Sequence, residues 1–380
     1  MKHILPRHRS VGLSVALLLG LLPGTAFAQF DAGSNGSYGP LNITANTTLD
    51  LPPDGVFHCT TINVSGGATL RFNRNPLNTP VVLLAQGDVT IAGTIDLSGA
   101  NASGAIPGAG GPGGFDGGFG GFGPSAPANR GGDGQGPGRG VNIEGQRHAA
   151  YAAPADANDR TYGNVLIVPL IGGSGGAGIN GNPGLGGGGG GGALLIASNT
   201  RITVNGVVQA NGGFSINGSG SGGSLRLVAP VITGNGSLSS VRGGGGSGSP
   251  GRVRLDCTDP LAFRNLRLYG AATRGTRMFA LPAGPQPSLH IVSVAGQSIP
   301  VGAANGVSFE LPAGAPATQT VVVRGEGFTG QVPIRLVVTP EHTAATVYDL
   351  TLDAGANPPE VSTQITLPEG EPVRLHAWTR

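Results

Sequence analysis

Val89-Thr90-Ile91-Ala92-Gly93-Thr94-Ile95-Asp96-Leu97-Ser98-Gly99 recurs, position by position, as Ile202-Thr203-Val204-Asn205-Gly206-Val207-Val208-Gln209-Ala210-Asn211-Gly212. Aliphatic side chains at alternate positions mark half-buried strands, and the internal glycine marks a corner between two of them. Each copy follows an aliphatic run, Val81 to Ala85 in one and Ala193 to Ala197 in the other. A looser third copy is Leu225 to Ala229 with Ile232 to Gly243, and Val253-Arg254-Leu255 opens a fourth. Short strands that repeat with glycine corners predict a β-solenoid (β-helix), because each coil can bury its apolar face only against the next. In that arrangement Ile91, Ile95, Val204 and Val208 point into the core while Thr90 and Thr203 point outward. The competing reading is a sandwich or an irregular β fold in which the strands resemble one another by chance.

Working outward, Leu41 to Thr44, Thr48 to Leu51, Thr61 to Val64 and Thr69 to Phe72 are further alternating segments that end in turns. The solenoid-like domain is therefore placed at 29–257, with a glycine-rich insertion at 99–192. The simpler reading of that insertion is a flexible loop. A sharper one is extended, polyproline-like strands that pack closely because they lack side chains. Within it, Tyr162 to Ile171 is apolar and is expected to dock on the solenoid. Residues 258–284 read as a linker, with Phe263 to Leu268 a candidate last strand. From 285 to 380 glycine thins and strands lengthen. Leu289 to Val294, Val307 to Leu311, Thr320 to Arg324, Ile334 to Val338, Val347 to Leu352, Thr363 to Leu367 and Val373 to Ala377 suit an immunoglobulin-like β-sandwich. The fold class is thus all-β.

Residues 1–28 have the form of a secretory signal: Lys2, Arg7 and Arg9, then the apolar run Val11 to Leu22, then Ala26-Phe27-Ala28. Its removal leaves nineteen basic against twenty acidic residues, a net charge of −1. A near-neutral surface offers nothing to nucleic acid. Lys2 is the only lysine, so the exported chain has no Schiff-base or phosphate-loop lysine. The 72 glycines follow no Gly-X-Y period, which excludes collagen. Cys59 and Cys257 are too few for a disulfide scaffold. A linear solenoid would hold them several coils apart, beyond the ~7 Å that a disulfide spans. Export nevertheless favours a bond between them, which would require a closed or compact body.

The segments Asn78-Thr79-Pro80 through Gly99, Gly172 to Gly176, Gly186 to Gly192 and Ala193 to Ala197 resemble parts of uncharacterised glycine-rich exported bacterial proteins that look like β-helical adhesins or surface proteins. The resemblance covers residues 30 to 257. It rests on corners and strands and carries no activity or site residue.

A polysaccharide-cleaving β-helix would need clustered carboxylates. The recurring strands offer only Asp88 and Asp96, and the matching positions are Arg201 and Gln209, so no acidic ladder forms. Asp116 and Asp133 sit among glycines without the tandem spacing of calcium repeats, and read as turn residues. His58, His148, His290, His342 and His376 have no partner at metal or triad spacing. Tyr348 and Trp378 could belong to a sugar-binding face or to the core and edge of the sandwich, and the latter is preferred. The expectation is a secreted or cell-surface structural, adhesin-like protein with no catalytic residue, metal or cofactor. It is exported to the surface, the medium or the periplasm, with no transmembrane segment after cleavage. Its partner would be a cell-surface or matrix polysaccharide or protein. The alternatives are an extracellular carbohydrate-binding protein and a polysaccharide-acting β-helix enzyme.

Overall fold

The two matched segments lie side by side in the computed structural model, which describes residues 30–244, 248–259, 263, 265–281, 287–301 and 307–380. The expected signal, residues 1–28, lies outside these. Among the described residues the chain is all strand, turn and extended segment, with no helix.

The strands of the first part are β1 (Gly39–Ile43), β2 (Thr47–Asp50), β3 (Val56–Val64), β4 (Thr69–Asn73), β5 (Val81–Ala85), β6 (Val89–Ile91), β7 (Thr94–Asp96), β8 (Ala193–Ser198), β9 (Arg201–Val204), β10 (Val207–Gln209), β11 (Ser224–Val228), β12 (Val231–Thr233), β13 (Ser237–Ser239), β14 (Arg252–Asp256), β15 (Arg267–Tyr269) and β16 (Ala271–Gly275). All their pairings are parallel. The first half of β3 leads the ladder β3-β5-β8-β11-β14-β16, and its second half lies between β1 and β6 in a ladder continued by β9 and β12. A separate sheet runs β2-β4-β7-β10-β13-β15. Successive triplets, β5-β6-β7, β8-β9-β10 and β11-β12-β13, thus place one strand on each ladder in turn.

Register turns the sequence repeat into columns of like residues. Val89 pairs with Ile202 and Ile91 with Val204, while Ile95 pairs with Val208. Ile91, Ile95, Val204 and Val208 are fully buried in one core, and Thr90 and Thr203 are half-buried on the opposite face. Other columns are Leu83-Ile196-Leu227-Leu255 and Leu70-Ile95-Val208-Leu238-Leu268. Each fully buried aliphatic contributes about 1.5–3 kcal/mol.

The disulfide expected between Cys59 and Cys257 is not formed: both are buried free thiols. Cys59 pairs with Ala85 and Ala85 with Ser198. The registers of β8 with β11 and of β11 with β14 carry the same column to Ala229 and Cys257. The cysteines therefore share one core column but stand four ladder steps apart, roughly 19 Å at about 4.8 Å per step. The stretch expected as a linker also differs, since β15 and β16 extend both sheets as far as Gly275.

The corner between the third ladder and the next first-ladder strand is the place where glycine enters: 97–192, 210–223 and 240–251 all leave and rejoin there. Because the corners are stacked, the described residues of these segments lie together as an ordered block, the sharper of the two readings of the insertion. Its centre is Gly186–Gly192, buried throughout. The N–H groups of Gly187 and Gly190 donate to Gly118 and Phe115, those of Gly188 and Gly191 to Gly218 and Ser221, and those of Gly189 and Gly192 to Ala100 and Leu97. Their carbonyls accept with the same spacing up to the last residue: Gly187 and Gly190 from Gly108 and Gly111, Gly188 and Gly191 from Gly176 and Gly173, and Gly189 from Gly213, while Gly192, next to the sheet, accepts from Ser224. A partner that repeats every third residue is the signature of a three-residue turn, the polyproline II geometry, which makes no bonds within itself. Each strand therefore bonds only to its neighbours, and here six of them surround the central run. A Cβ on Gly187, Gly188, Gly189, Gly190 or Gly191 would lie 2.0–2.1 Å from a neighbouring carbonyl oxygen, so only glycine fits.

Tyr162–Ile171 docks on the outer face of the first ladder, as its apolar sequence predicts. Ile167 is buried, the Tyr151 and Tyr162 rings stack at 4.3 Å, and the Ile171 carbonyl accepts from Tyr151 and Ser224.

The second part comprises β17 (Ser288–Val294), β18 (Gln297–Ser298), β19 (Thr318–Glu326), β20 (Gln331–Pro340), β21 (Thr346–Asp353), β22 (Glu360–Thr366) and β23 (Val373–Thr379). They form two antiparallel sheets, β18-β17-β19-β22 and β21-β20-β23, around Val321, Val323, Ile334, Leu336, Val338, Leu352 and Ile365. The strand expected at Val307–Leu311 is absent. Val307 and Phe309 face solvent and the segment joins no ladder; the short β18 borders β17 instead.

Candidate functional site

A cavity of about 860 Å³ lies on the outer face of the first ladder. Phe30 to Gly33, Val56, Leu84 and Met278 to Leu281 line it, with Asp31, His58 and Thr258 as its polar side chains. Leu84, Leu195, Ala197 and Val228 form a second apolar layer on this outer face. What covers it in part is a strap, residues 276–281, and the strap is held by buried charge. Arg226 donates to the carbonyls of Phe279 (2.7 Å) and Ala280 (2.9 Å), and its guanidinium lies 4.3 Å from the Phe279 ring centre. Arg254 grips Asp256 with two nitrogens, Asp256 stands 3.8 Å from Arg226, and it also accepts from the Arg277 N–H. Burial pulls Arg226 below the usual guanidinium range, and Asp256 opposes the shift. Arg226 and Arg254 are direct register partners, so like charges are stacked across two strands. Such a pair requires an acid between them. Sequence reasoning passed over this triad. The available signal was two arginines at equivalent positions of aliphatic strands, with an aspartate two residues after the second.

The two aspartates read as turn residues, Asp116 and Asp133, instead tie the glycine block to the antiparallel sandwich. Asp116 pairs with Arg74, accepts from the Gly110 N–H and receives Arg374 of β23 at 2.7 Å. Burial works to raise its carboxyl, but Arg74, the Gly110 N–H and Arg374 outweigh that and hold it below the ordinary value. Asp133 accepts from Arg130 and Asn142, and its second oxygen accepts from the Ala345 N–H at 3.0 Å. Between these anchors the His376 ring meets Phe115 edge-on at 6.1 Å and the His342 ring meets Phe122 at 4.5 Å. Burial, together with Arg374, pushes His376 down to about 4.

The remaining sequence candidates are scattered. Asp88 accepts from Thr200. Asp96 pairs with Arg71 at 3.1 Å; burial works to raise it, but Ser98, Gln209 and Arg71 together hold it low. His58 accepts from the Asn35 N–H and His148 from the Ser219 N–H, while His290 contacts Ser288. Tyr348 accepts from the Thr366 N–H, and Trp378 sits half-buried in register with Arg335. Among the described residues no three His, Cys, Asp or Glu converge as a metal site.

No protein-family model, no curated protein and no solved structure matches this chain.

Proposed function

We propose that the chain is a secreted or cell-surface structural protein of the adhesin-like kind. In this reading the parallel ladders are a three-faced β-solenoid and the C-terminal sheets an immunoglobulin-like module, and the protein acts by contact rather than by turnover. The observation that carries the proposal is the glycine block. Its central strand spends every N–H and C=O on six neighbours, which yields a stiff spacer whose far turns are presented to the outside. The carboxylates seen in the sequence support it, since Asp88, Asp96, Asp116 and Asp133 are each engaged in holding the architecture.

Fractionation of native cells with an antibody, combined with attachment of wild-type and deletion cells to a surface, tests the proposal. Expected are surface-exposed protein and weakened attachment in the deletion strain. Cytoplasmic retention, or attachment that is the same in both strains, would overturn it.

A further inference from the structure

The strand directions within the glycine block give it two ends. Leu97 and Ala100 face Gly192 and Gly189, so the chain runs away from the sheets from 97 to 100 and returns to them from 186 to 192. The turns 101–107, 119–128, 180–186 and 213–218 therefore gather at the far end. They are also joined to one another. Ala102 donates to Phe214, Gly186 to Gly104, Gly120 to Ala105 and Gly184 to Gly121, and the Ser215 hydroxyl donates to Gly186.

Three features of this apex belong together. None of the four turns contains Asp, Glu, Lys, Arg or His. All four expose large apolar side chains: Ile106 is 66 % exposed, Ile216 60 %, Phe122 57 %, Phe214 38 % and Leu185 36 %. In addition, many backbone groups of the turns are bonded within the apex: Ser103 and Ile106 exchange bonds, and the Leu185 carbonyl accepts from Ile179.

Clustered exposed apolar side chains mark a contact surface for protein or membrane. Protein-binding surfaces favour Tyr, Trp and Arg anchors, and these four turns have none. A lipid interface has different requirements. It accepts apolar side chains, penalises charge, and penalises backbone groups that lack a partner. The four turns meet the first two and bond many of their own backbone groups, with Glu144 and Arg242 exposed on the adjoining segments. We infer that the apex turns insert Ile106, Leu185, Phe214 and Ile216 into the interface of an uncharged lipid surface. The inference rests on the surface-protein reading and names the partner of its stiff spacer.

The test uses purified full-length exported chain and flotation with phosphatidylcholine vesicles. Expected is co-flotation that weakens by about tenfold or more for F214D and for I216D. L77D, which places the same charge on an exposed leucine outside the apex turns, should float like wild type. Thermal melts of all three variants should match wild type, because each side chain is exposed. No flotation of the wild type, apex variants that float normally, or L77D that loses flotation equally would overturn the inference. So would an apex-dependent dimer in sedimentation without vesicle binding, which would make a second copy the partner. Failure here with surface localisation and attachment intact would leave the surface reading standing.

Discussion

Gly190→Ala tests whether the glycine block is held by its lack of side chains. The added Cβ would stand 2.0 Å from the Gly173 carbonyl oxygen and 2.3 Å from its carbon, where ordinary contact begins at 3.4 Å. Both atoms are backbone, so the two strands must part by about 1.4 Å rather than turn a side chain aside. Three bonds cross that region: Gly190 to Phe115 at 2.8 Å, Gly111 to Gly190 at 2.9 Å, and Gly173 to Gly191 at 2.7 Å. Each buried group that loses its partner costs about 1–3 kcal/mol. Alanine stiffens the unfolded chain and returns only ~0.4–1 kcal/mol. A net loss of ~2–5 kcal/mol is expected, a large share of the ~5–15 kcal/mol that stabilises a typical domain. Gly66→Ala is the matched control: a Cβ there meets nothing within 4 Å and the backbone is not left-handed. It should be neutral or slightly stabilising. Urea midpoints and amide exchange at Gly190 and Gly191 measure both. A Gly190→Ala protein with wild-type midpoint and protection would refute the reasoning.

Acid should loosen the junction between block and sandwich. His376 is held down at about 4, so between its unfolded value near 6.5 and 4 the unfolded chain binds the extra proton. Stability therefore falls as pH drops through that window, by at most ~3 kcal/mol and less for the part of the ring still wet. Below it, protonation of the lowered Asp116 carboxyl removes more. Melting temperatures from pH 7 to 3 should show this, and His376→Gln should flatten the upper part of the curve. Cys59 and Cys257 should resist alkylation in the native protein and both react, without reductant, in urea. Burial raises Cys59 to about 11, which leaves almost no thiolate at neutral pH. Asp256→Ala should cost ~3–5 kcal/mol, since it leaves two buried guanidinium groups uncompensated. Limited proteolysis should then cut within the strap at 276–281, and uncut variant protein would count against the clip.

The stacked strands were legible because their signal is local and repeated. Val89 to Gly99 and Ile202 to Gly212 carry the same alternation, and a shared register follows from it. The glycine block was only half legible. Its order resides in bonds between segments far apart in sequence, such as Gly188 to Gly218, and glycine has no side chain whose periodicity could announce them. The aspartates illustrate the same limit. Asp116 and Asp133 stand among turn residues in sequence, but their partners Arg374 and Ala345 come from the far end of the chain. Arg226 stands among aliphatic residues in sequence, and the strap carbonyls that it binds lie more than fifty residues further along the chain.

The three-residue turn of the glycine strands also governs how the chain's length can change. Removing one residue from Gly186–Gly192 would rotate every later N–H by a third of a turn, toward the wrong neighbour. Removing three would restore each donor to the same neighbour, one turn shorter. A block built in this way can lengthen or shorten only in whole turns, and its neighbours must change with it. The turns at its far end lie outside that constraint, because they close the strands without setting the phase. Sequence there is free to vary in composition and length while the framework beneath keeps count in threes.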